Sequence, residues 1–131
     1  MHTGFTGTRK GLSERQRNVL ALLLRDCTFH HGDCEGADTE AHGIARENGC
    51  SVHLHPPIND SARAFCEADV SEEPKEYLVR NHDIVDFSDV LIACPRQKKE
   101  QLRSGTWATI RYARKAGKSL MIVFPDGTHG V

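Results

Sequence analysis

The sequence predicts an α/β fold: a single Rossmann-like, doubly wound parallel sheet of about five strands in the order 3-2-1-4-5, with helices on both faces. Two observations support this prediction. Short apolar runs alternate with segments of helical periodicity, as is typical of β-α-β units. The 131 residues suffice for one domain with a buried core, but not for two ordinary domains. We therefore treat residues 1–131 as one domain, and right-handed crossovers give the predicted strand order.

Each predicted element in the first half of the chain has a start or stop signal. Ser13 followed by Gln16 makes a capping box, which begins a helix that turns Leu20 and its apolar neighbours inward. Gly49 ends the next helix, and two prolines end the strand after it. The resulting elements are strands at 2–6, 27–31 and 51–55, a helix after Ser13, and a helix at 36–48.

The polar segment 56–78 separates the two halves, and its length predicts a functional loop rather than a simple connection. Beyond it, the run "DVLIAC" is continuously apolar, as expected for a buried parallel strand. Trp107 and Ile110 share one stripe of the last predicted helix. The predicted elements are helices at 78–87 and 104–116, and strands at 89–94 and 119–124.

Composition argues against several classes of protein. The 17 basic and 18 acidic residues leave a net charge of −1, so no global positive field favours nucleic acid or an anionic membrane. The cysteines form no CxxC pair and are odd in number, which argues against a disulfide framework or a zinc ribbon. No apolar run is long enough to span a bilayer. We expect a soluble, cytoplasmic protein with reduced thiols, no membrane partner and no cofactor.

Two glycine- and hydroxyl-containing segments follow predicted strands at the point where the winding of the sheet reverses. Doubly wound sheets bind ligands there, outside the carboxyl ends of the first and fourth strands. The first segment offers close backbone approach, a hydroxyl and a guanidinium; the second begins a helix, whose amides and dipole attract anions. The predicted phosphate-binding residues are Gly7, Thr8, Arg9, Ser104, Gly105 and Thr106.

The stretch "HHGDCEGADTEAH" lies where a strand turns into a helix. Gly32 and Gly36 are small enough for close approach to a ligand. Asp33 and Asp38 are candidates to accept hydrogen bonds from ribose or a base, although a carboxylate in the first turn of a helix is also stabilised by the helix dipole. The candidate ligand-binding residues also include Arg80 and Asn81, which suit phosphate and sugar recognition.

The same stretch raises the possibility of zinc. His31, Cys34 and His42 could supply three ligands, but the sequence offers no fourth ligand at the usual spacing. His53 and His55 alternate along one predicted strand and are expected to line a face or a loop mouth. We therefore predict no metal site.

Taken in order, the motifs "GTR", "GDCEGADTEAH", "VRNHDIVDFSDVLIA" and "SGTWATIRYARKAGK" resemble the SLOG superfamily over roughly residues 4–127. This superfamily joins DNA-processing protein A (Smf) and the LONELY GUY phosphoribohydrolases. The sequence motifs are most similar to those of DNA-processing protein A at Ser104-Gly105-Thr106, Arg80-Asn81 and the run from Gly36 to His42. The LONELY GUY signature has a catalytic glutamate where Thr109 stands here, so the resemblance implies binding of a nucleotide more than its cleavage.

Three functions follow from the resemblance and the loops. The first is binding of a nucleotide or nucleotide-derived ligand with ribose and phosphate, such as an ADP-ribose- or NAD-related molecule or a cyclic signal, for sensing or sequestration. The second is hydrolysis of an N-glycosidic bond, with Asp33, Asp38 or Glu35 as the catalytic carboxylate. The third is an accessory role in DNA processing. LONELY GUY-like relatives also imply a homodimer or higher homo-oligomer, with the stripe from Trp107 to Ala116 as a candidate contact.

Overall fold

The computed structural model describes residues 1–131 as a seven-stranded sheet with four α-helices. The sheet order is β4-β3-β2-β1-β5-β6-β7, and all neighbouring strands are parallel except β6 and β7. The strands are β1 (His2–Gly7), β2 (Thr28–His31), β3 (Ser51–Leu54), β4 (Val70–Ser71), β5 (Val90–Cys94), β6 (Ser119–Val123) and β7 (His129–Gly130). The helices are α1 (Glu14–Leu23), α2 (Ala37–Glu47), α3 (Tyr77–Phe87) and α4 (Gly105–Lys115).

The helices lie in two layers. Along β1, Phe5 joins the main core beneath α1 and α2, whereas Gly4 faces Ile84 and Ser88 of α3, so the two helix pairs cover opposite faces. The main core contains 15 buried residues on the α1/α2 side, while two clusters of four lie beneath α3 and α4. Burial of these apolar side chains is the main favourable contribution to folding.

The α/β class with a mainly parallel sheet is confirmed, but the predicted five-strand sheet in the order 3-2-1-4-5 is wrong. Two short strands extend the sheet: β4 pairs with β3, and β7 pairs antiparallel with β6. Each has only two residues, which is too short to show a period of two. The predicted loop at 56–78 thus contains β4 and a 3-10 turn at Asp60–Ala62.

Local signals located the main helices well. The capping box at Ser13 and Gln16 is present and begins α1, as predicted. The stripe on α4 is used inside the chain, because Trp107, Ile110 and Ala113 are all buried against the sheet and α3. Ala116, the last residue of the stripe, is exposed, and the homodimer stays a prediction. No helix is long and apolar enough to cross a membrane.

Candidate functional site

An open cleft of about 610 Å³ lies at the carboxyl ends of β1 and β5. This is where the winding of the sheet reverses, since β2, β3 and β4 lie on one side of β1, and β5, β6 and β7 lie on the other. The loop after β1, the segment 96–103 and the first turns of α3 and α4 form its walls. All six predicted phosphate-binding residues line it: Gly7, Thr8, Arg9, Ser104, Gly105 and Thr106.

The cleft is strongly basic although the whole chain is nearly neutral. Four cationic side chains line it, namely Arg9, Lys10, Arg96 and Arg103, and no acidic side chain does so. None of the four forms an ion pair with the rest of the protein. All four are exposed, so their charges are available to a ligand. A wall of one sign of charge concentrates ligands of the opposite sign.

The first turn of α4 adds backbone donors to the same cleft. Ser104 is the N-cap, and its hydroxyl accepts a hydrogen bond of 3.2 Å from the amide of Trp107. The amides of Gly105 and Thr106 donate to no protein group, as is usual for the first turn of a helix. A side chain at position 105 would collide with the hydroxyl of Tyr77, so a larger residue there would displace the Tyr77 ring where α3 and α4 meet.

A second cavity of about 250 Å³ adjoins the cleft and shares Arg9 and Tyr77 with it. Its walls combine apolar side chains such as Ile58 with the polar side chains of Asn59 and Glu76. The two cavities therefore share a wall formed by Arg9 and Tyr77. Glu76 is the only carboxylate that borders this second cavity, and it does not line the basic cleft.

Arg80 is buried, and its side chain has a structural role. Its guanidinium donates to the carbonyls of Gly32 and His55, the latter at 3.0 Å, and lies 3.2 Å from the Cys34 thiol. These bonds join the ends of β2 and β3 to α3. Asn81 is also buried, and with Asp38, Gly32 and Gly7 it lines a cavity of only about 20 Å³ beneath the cleft. The predicted pair Arg80-Asn81 thus lies behind the cleft rather than on its wall.

Asp33 is fully buried and paired. One carboxylate oxygen accepts from the Nε of Arg63 at 2.9 Å, and the other accepts from the amide of Cys66 at the same distance. The residue adopts a φ of 56°, a conformation that aspartate tolerates better than most residues. Asp33 therefore anchors the long segment after β3 and lines none of the three cavities.

Asp38 and its neighbours in the turn have separate roles. Asp38 accepts a hydrogen bond of 3.2 Å from the amide of Cys34, and burial raises the pKa of its carboxyl to about 6. Gly36 has a φ of 91°, and a side chain there would collide with the backbone of Arg9, so this glycine supports the loop of the cleft. Glu35 is exposed and lines no cavity.

Histidines occupy both faces of β2. His31 accepts from the amide of Asp33 at 3.0 Å, and its other ring nitrogen lies 3.0 Å from His42. The neighbour that completes this group is Cys66 rather than Cys34, whose thiol instead lies against Gly32 and Arg80. The zinc ligands considered from the sequence, His31, Cys34 and His42, are therefore not brought together as one set.

The predicted site residues did not include Lys10, Tyr77, Arg96 or Arg103, which also line the cleft. A signal existed for two of them. The run "PRQKKEQLR" follows β5 directly and carries four basic residues, so it had to lie at the winding reversal. Thr109, which the resemblance predicted from the sequence places at the glutamate position, is buried and donates its hydroxyl to the carbonyl of Gly105 at 3.0 Å.

Comparison with solved structures shows a likeness to TM1055, a target of the Northeast Structural Genomics Consortium solved by X-ray crystallography. The TM-score is 0.64 at 17% sequence identity, and the match covers 92% of this chain and 72% of that chain. At this identity the likeness shows the fold alone. No protein-family model and no curated protein matches the chain.

Proposed function

We propose that the basic cleft binds a nucleotide or nucleotide-derived ligand that carries ribose and phosphate. One observation carries the proposal: four unpaired cationic side chains and no acidic one surround a cleft of about 610 Å³. Cavities of about 300–1,000 Å³ are typical of sites for small molecules. Cations that neutralise nothing in the protein are suited to neutralise a ligand.

Within this proposal, the phosphate lies against the first turn of α4. The free amides of Gly105 and Thr106 and the positive end of the helix dipole bind phosphate oxygens, as at other helix N-termini. Arg9 reaches the same anion from the opposite wall, where a guanidinium can donate two parallel hydrogen bonds. Leu78 and Leu102 supply exposed apolar surface at the rim, against which a base can pack.

The second cavity gives the ligand a further contact. Because it adjoins the cleft at Arg9, a ligand whose phosphate binds there can extend a ribose or a second nucleoside into it. Glu76 and Asn59 are suitable acceptors for ribose hydroxyls. This arrangement supports the ADP-ribose- or NAD-related members of the predicted ligand class, and it agrees with our proposal that the chain is a SLOG-type domain.

Hydrolysis of an N-glycosidic bond is less well supported. Such a reaction needs a carboxylate near the sugar to stabilise the cationic centre that forms as the base leaves. Asp33 uses both oxygens inside the protein, Asp38 borders only the small cavity beneath the cleft, and Glu35 lines no cavity. Glu76 does border the second cavity, and we assign it to the ribose hydroxyls rather than to the glycosidic bond. We therefore favour sensing or sequestration over cleavage.

Calorimetric titration tests the proposal with a panel of nucleoside monophosphates, ADP-ribose, NAD and inorganic phosphate. Arg9→Ala and Arg103→Ala each remove one cation from the cleft, and each is expected to weaken binding about tenfold to a hundredfold. Lys115→Ala is the matched control, because it removes the same charge from the exposed far end of α4. Its affinity should equal that of the unmodified protein.

The outcomes separate the three functions. Nucleotide binding that is lost in Arg9→Ala but kept in Lys115→Ala supports the proposal, provided that chromatography detects no free base. Base release that disappears in Asp38→Asn would establish the hydrolase instead. Tight binding of a single-stranded oligonucleotide, with no binding of any mononucleotide or dinucleotide, would favour the accessory role in DNA processing and overturn the proposal.

A further inference from the structure

Three histidines meet on the face of the sheet that lies opposite the main core. The parallel register pairs His30 of β2 with His53 of β3, and His55 follows two residues later, so all three imidazoles lie on one face. Where apolar side chains would otherwise cover β2 and β3, this face carries imidazoles and the ring of Phe87. We propose that His30, His53 and His55 form a binding site for a divalent transition metal ion of the zinc type.

The ring nitrogens are close enough to share one ion. One nitrogen from each imidazole lies within 4.8 Å of one nitrogen from each of the others. The Nδ1 of His30 and the Nε2 of His55 are 2.9 Å apart. Zinc–nitrogen bonds of about 2.0–2.1 Å in a tetrahedral arrangement place neighbouring nitrogens about 3.3 Å apart. This pair must therefore separate by only a few tenths of an ångström.

His53 has the second partner that metal-binding histidines usually have. Its Nε2 lies 2.7 Å from a carboxylate oxygen of Glu72, which sits just after β4. The carboxylate fixes the proton on Nε2 and leaves the lone pair on Nδ1. Histidines that ligate metals almost always donate their other N–H in this way, which orients the ring and increases its basicity.

The histidine group on the other face of β2 is a useful contrast. There, His31 accepts the amide proton of Asp33 at Nδ1, so its proton must stay on Nε2, where it faces His42. Neither ring nitrogen of His31 is free to bind an ion. No backbone amide donates to the rings of His30, His53 or His55. The Nε2 of His30 lies 2.8 Å from the Nδ1 of His2, so a proton on that Nε2 leaves the Nδ1 of His30 for a metal.

Burial prepares the imidazoles for this role. His30 and His55 are each 1% exposed, so their rings are held away from water. The Nδ1 of His55 is buried without any hydrogen-bond partner, so the protein alone does not complete the network. His53 is partly exposed and gives an ion access from solvent. The stacked rings of His53 and His55 must tilt for their lone pairs to converge, and the ring torsions of histidine are soft.

The test uses the complete chain after treatment with EDTA and removal of the chelator. Zn²⁺ is titrated against a chromogenic chelator, and Co²⁺ is added separately to record its visible spectrum. We expect one Zn²⁺ per chain and the intense absorption bands of tetrahedral cobalt. His53→Gln should abolish saturable binding, and Glu72→Gln should weaken it about tenfold to a hundredfold.

His42→Gln is the matched control, because it removes an imidazole from the group on the opposite face. Its Zn²⁺ affinity and cobalt spectrum should equal those of the unmodified protein. Circular dichroism establishes that each variant is folded. If His53→Gln does not fold, Glu72→Gln still tests the proposal. The proposal is overturned if the unmodified chain binds no Zn²⁺, or if binding is unchanged in both His53→Gln and Glu72→Gln.

Discussion

Arg9 and Arg80 lie against the same tyrosine and have opposite roles. Their guanidinium carbons are 5.3 Å and 4.8 Å from the centre of the Tyr77 ring. Arg9 is exposed, makes no hydrogen bond from its side chain to the protein and lines all three cavities. Arg80 is 3% exposed and donates to two carbonyls. One arginine is available to a ligand, and the other stabilises the elements that hold the first in place.

The other charged groups at this edge of the sheet also divide into buried, hydrogen-bonded side chains and exposed side chains without an acidic partner. Asp33 and Asp38 accept hydrogen bonds from the protein, whereas Lys10, Arg96 and Arg103 have no acidic partner. Burying a polar group lowers stability unless the group is hydrogen-bonded, so a stable fold requires partners for Asp33 and Asp38. Exposed cations carry no such cost. Stability and ligand binding can therefore be tested separately at neighbouring residues.

The largest expected effect is that of Arg80→Met on stability. This change leaves the buried carbonyls of Gly32 and His55 without a donor, and we expect a loss of about 3 kcal/mol in the free energy of unfolding. Urea titration measures it. Arg9→Met is the matched control on the same tyrosine and should change the free energy by less than about 0.5 kcal/mol. Equal losses in the two variants would show that the division is false.

The second effect depends on pH. The pKa of Asp38 is raised from 3.8 to about 6, so the folded state favours the protonated carboxyl; this contribution to stability is present below pH 3.8 and is lost as the pH rises through 6. Asp38→Asn stays neutral and keeps the acceptor for Cys34. We expect the variant to match the unmodified protein at low pH and to exceed its unfolding free energy by about 3 kcal/mol near neutrality.

Urea titrations of both proteins across this range measure the difference. Because every other titrating group is common to both, their contributions cancel. A difference between the two proteins that does not change with pH would show that Asp38 is not desolvated in the folded state.

A smaller effect is expected at Asp33. Asp33→Asn keeps the acceptor for the amide of Cys66 and tolerates the positive φ, but it loses the charge that pairs with Arg63. We expect a loss of about 1.5 kcal/mol and faster hydrogen exchange in residues 60–66. Asp60→Asn is the control, since Asp60 is exposed and lies 4.0 Å from the same arginine. Equal exchange rates in the two variants would contradict the anchoring role.

The sequence predicted the fold and the cleft better than it predicted the carboxylates. Capping signals and apolar runs are local, so they located the helices and the five longer strands. The winding rule then placed Arg9 and Thr106 on one cleft, as found. The burial of Arg80 and the pairing of Asp33 with Arg63 depend on contacts across 48 and 30 residues, which no local pattern encodes. The two-residue edge strands β4 and β7 are likewise encoded by no local pattern.

The smallest effect concerns repulsion among the cleft cations. Arg103 is one of four like charges with no acidic neighbour on the cleft, so Arg103→Gln removes repulsion and breaks no ion pair. We expect a gain of about a few tenths of a kcal/mol in unfolding free energy at low ionic strength. High salt should remove the gain, because exposed charges are screened over about 10 Å at 0.1 M and over shorter distances at higher concentration. Thermal unfolding at low and high sodium chloride measures it, with Lys115→Gln as the control outside the cleft. A loss of stability that salt does not change would mean that Arg103 has a partner inside the protein, and the cleft would then have one fewer charge to offer a phosphate.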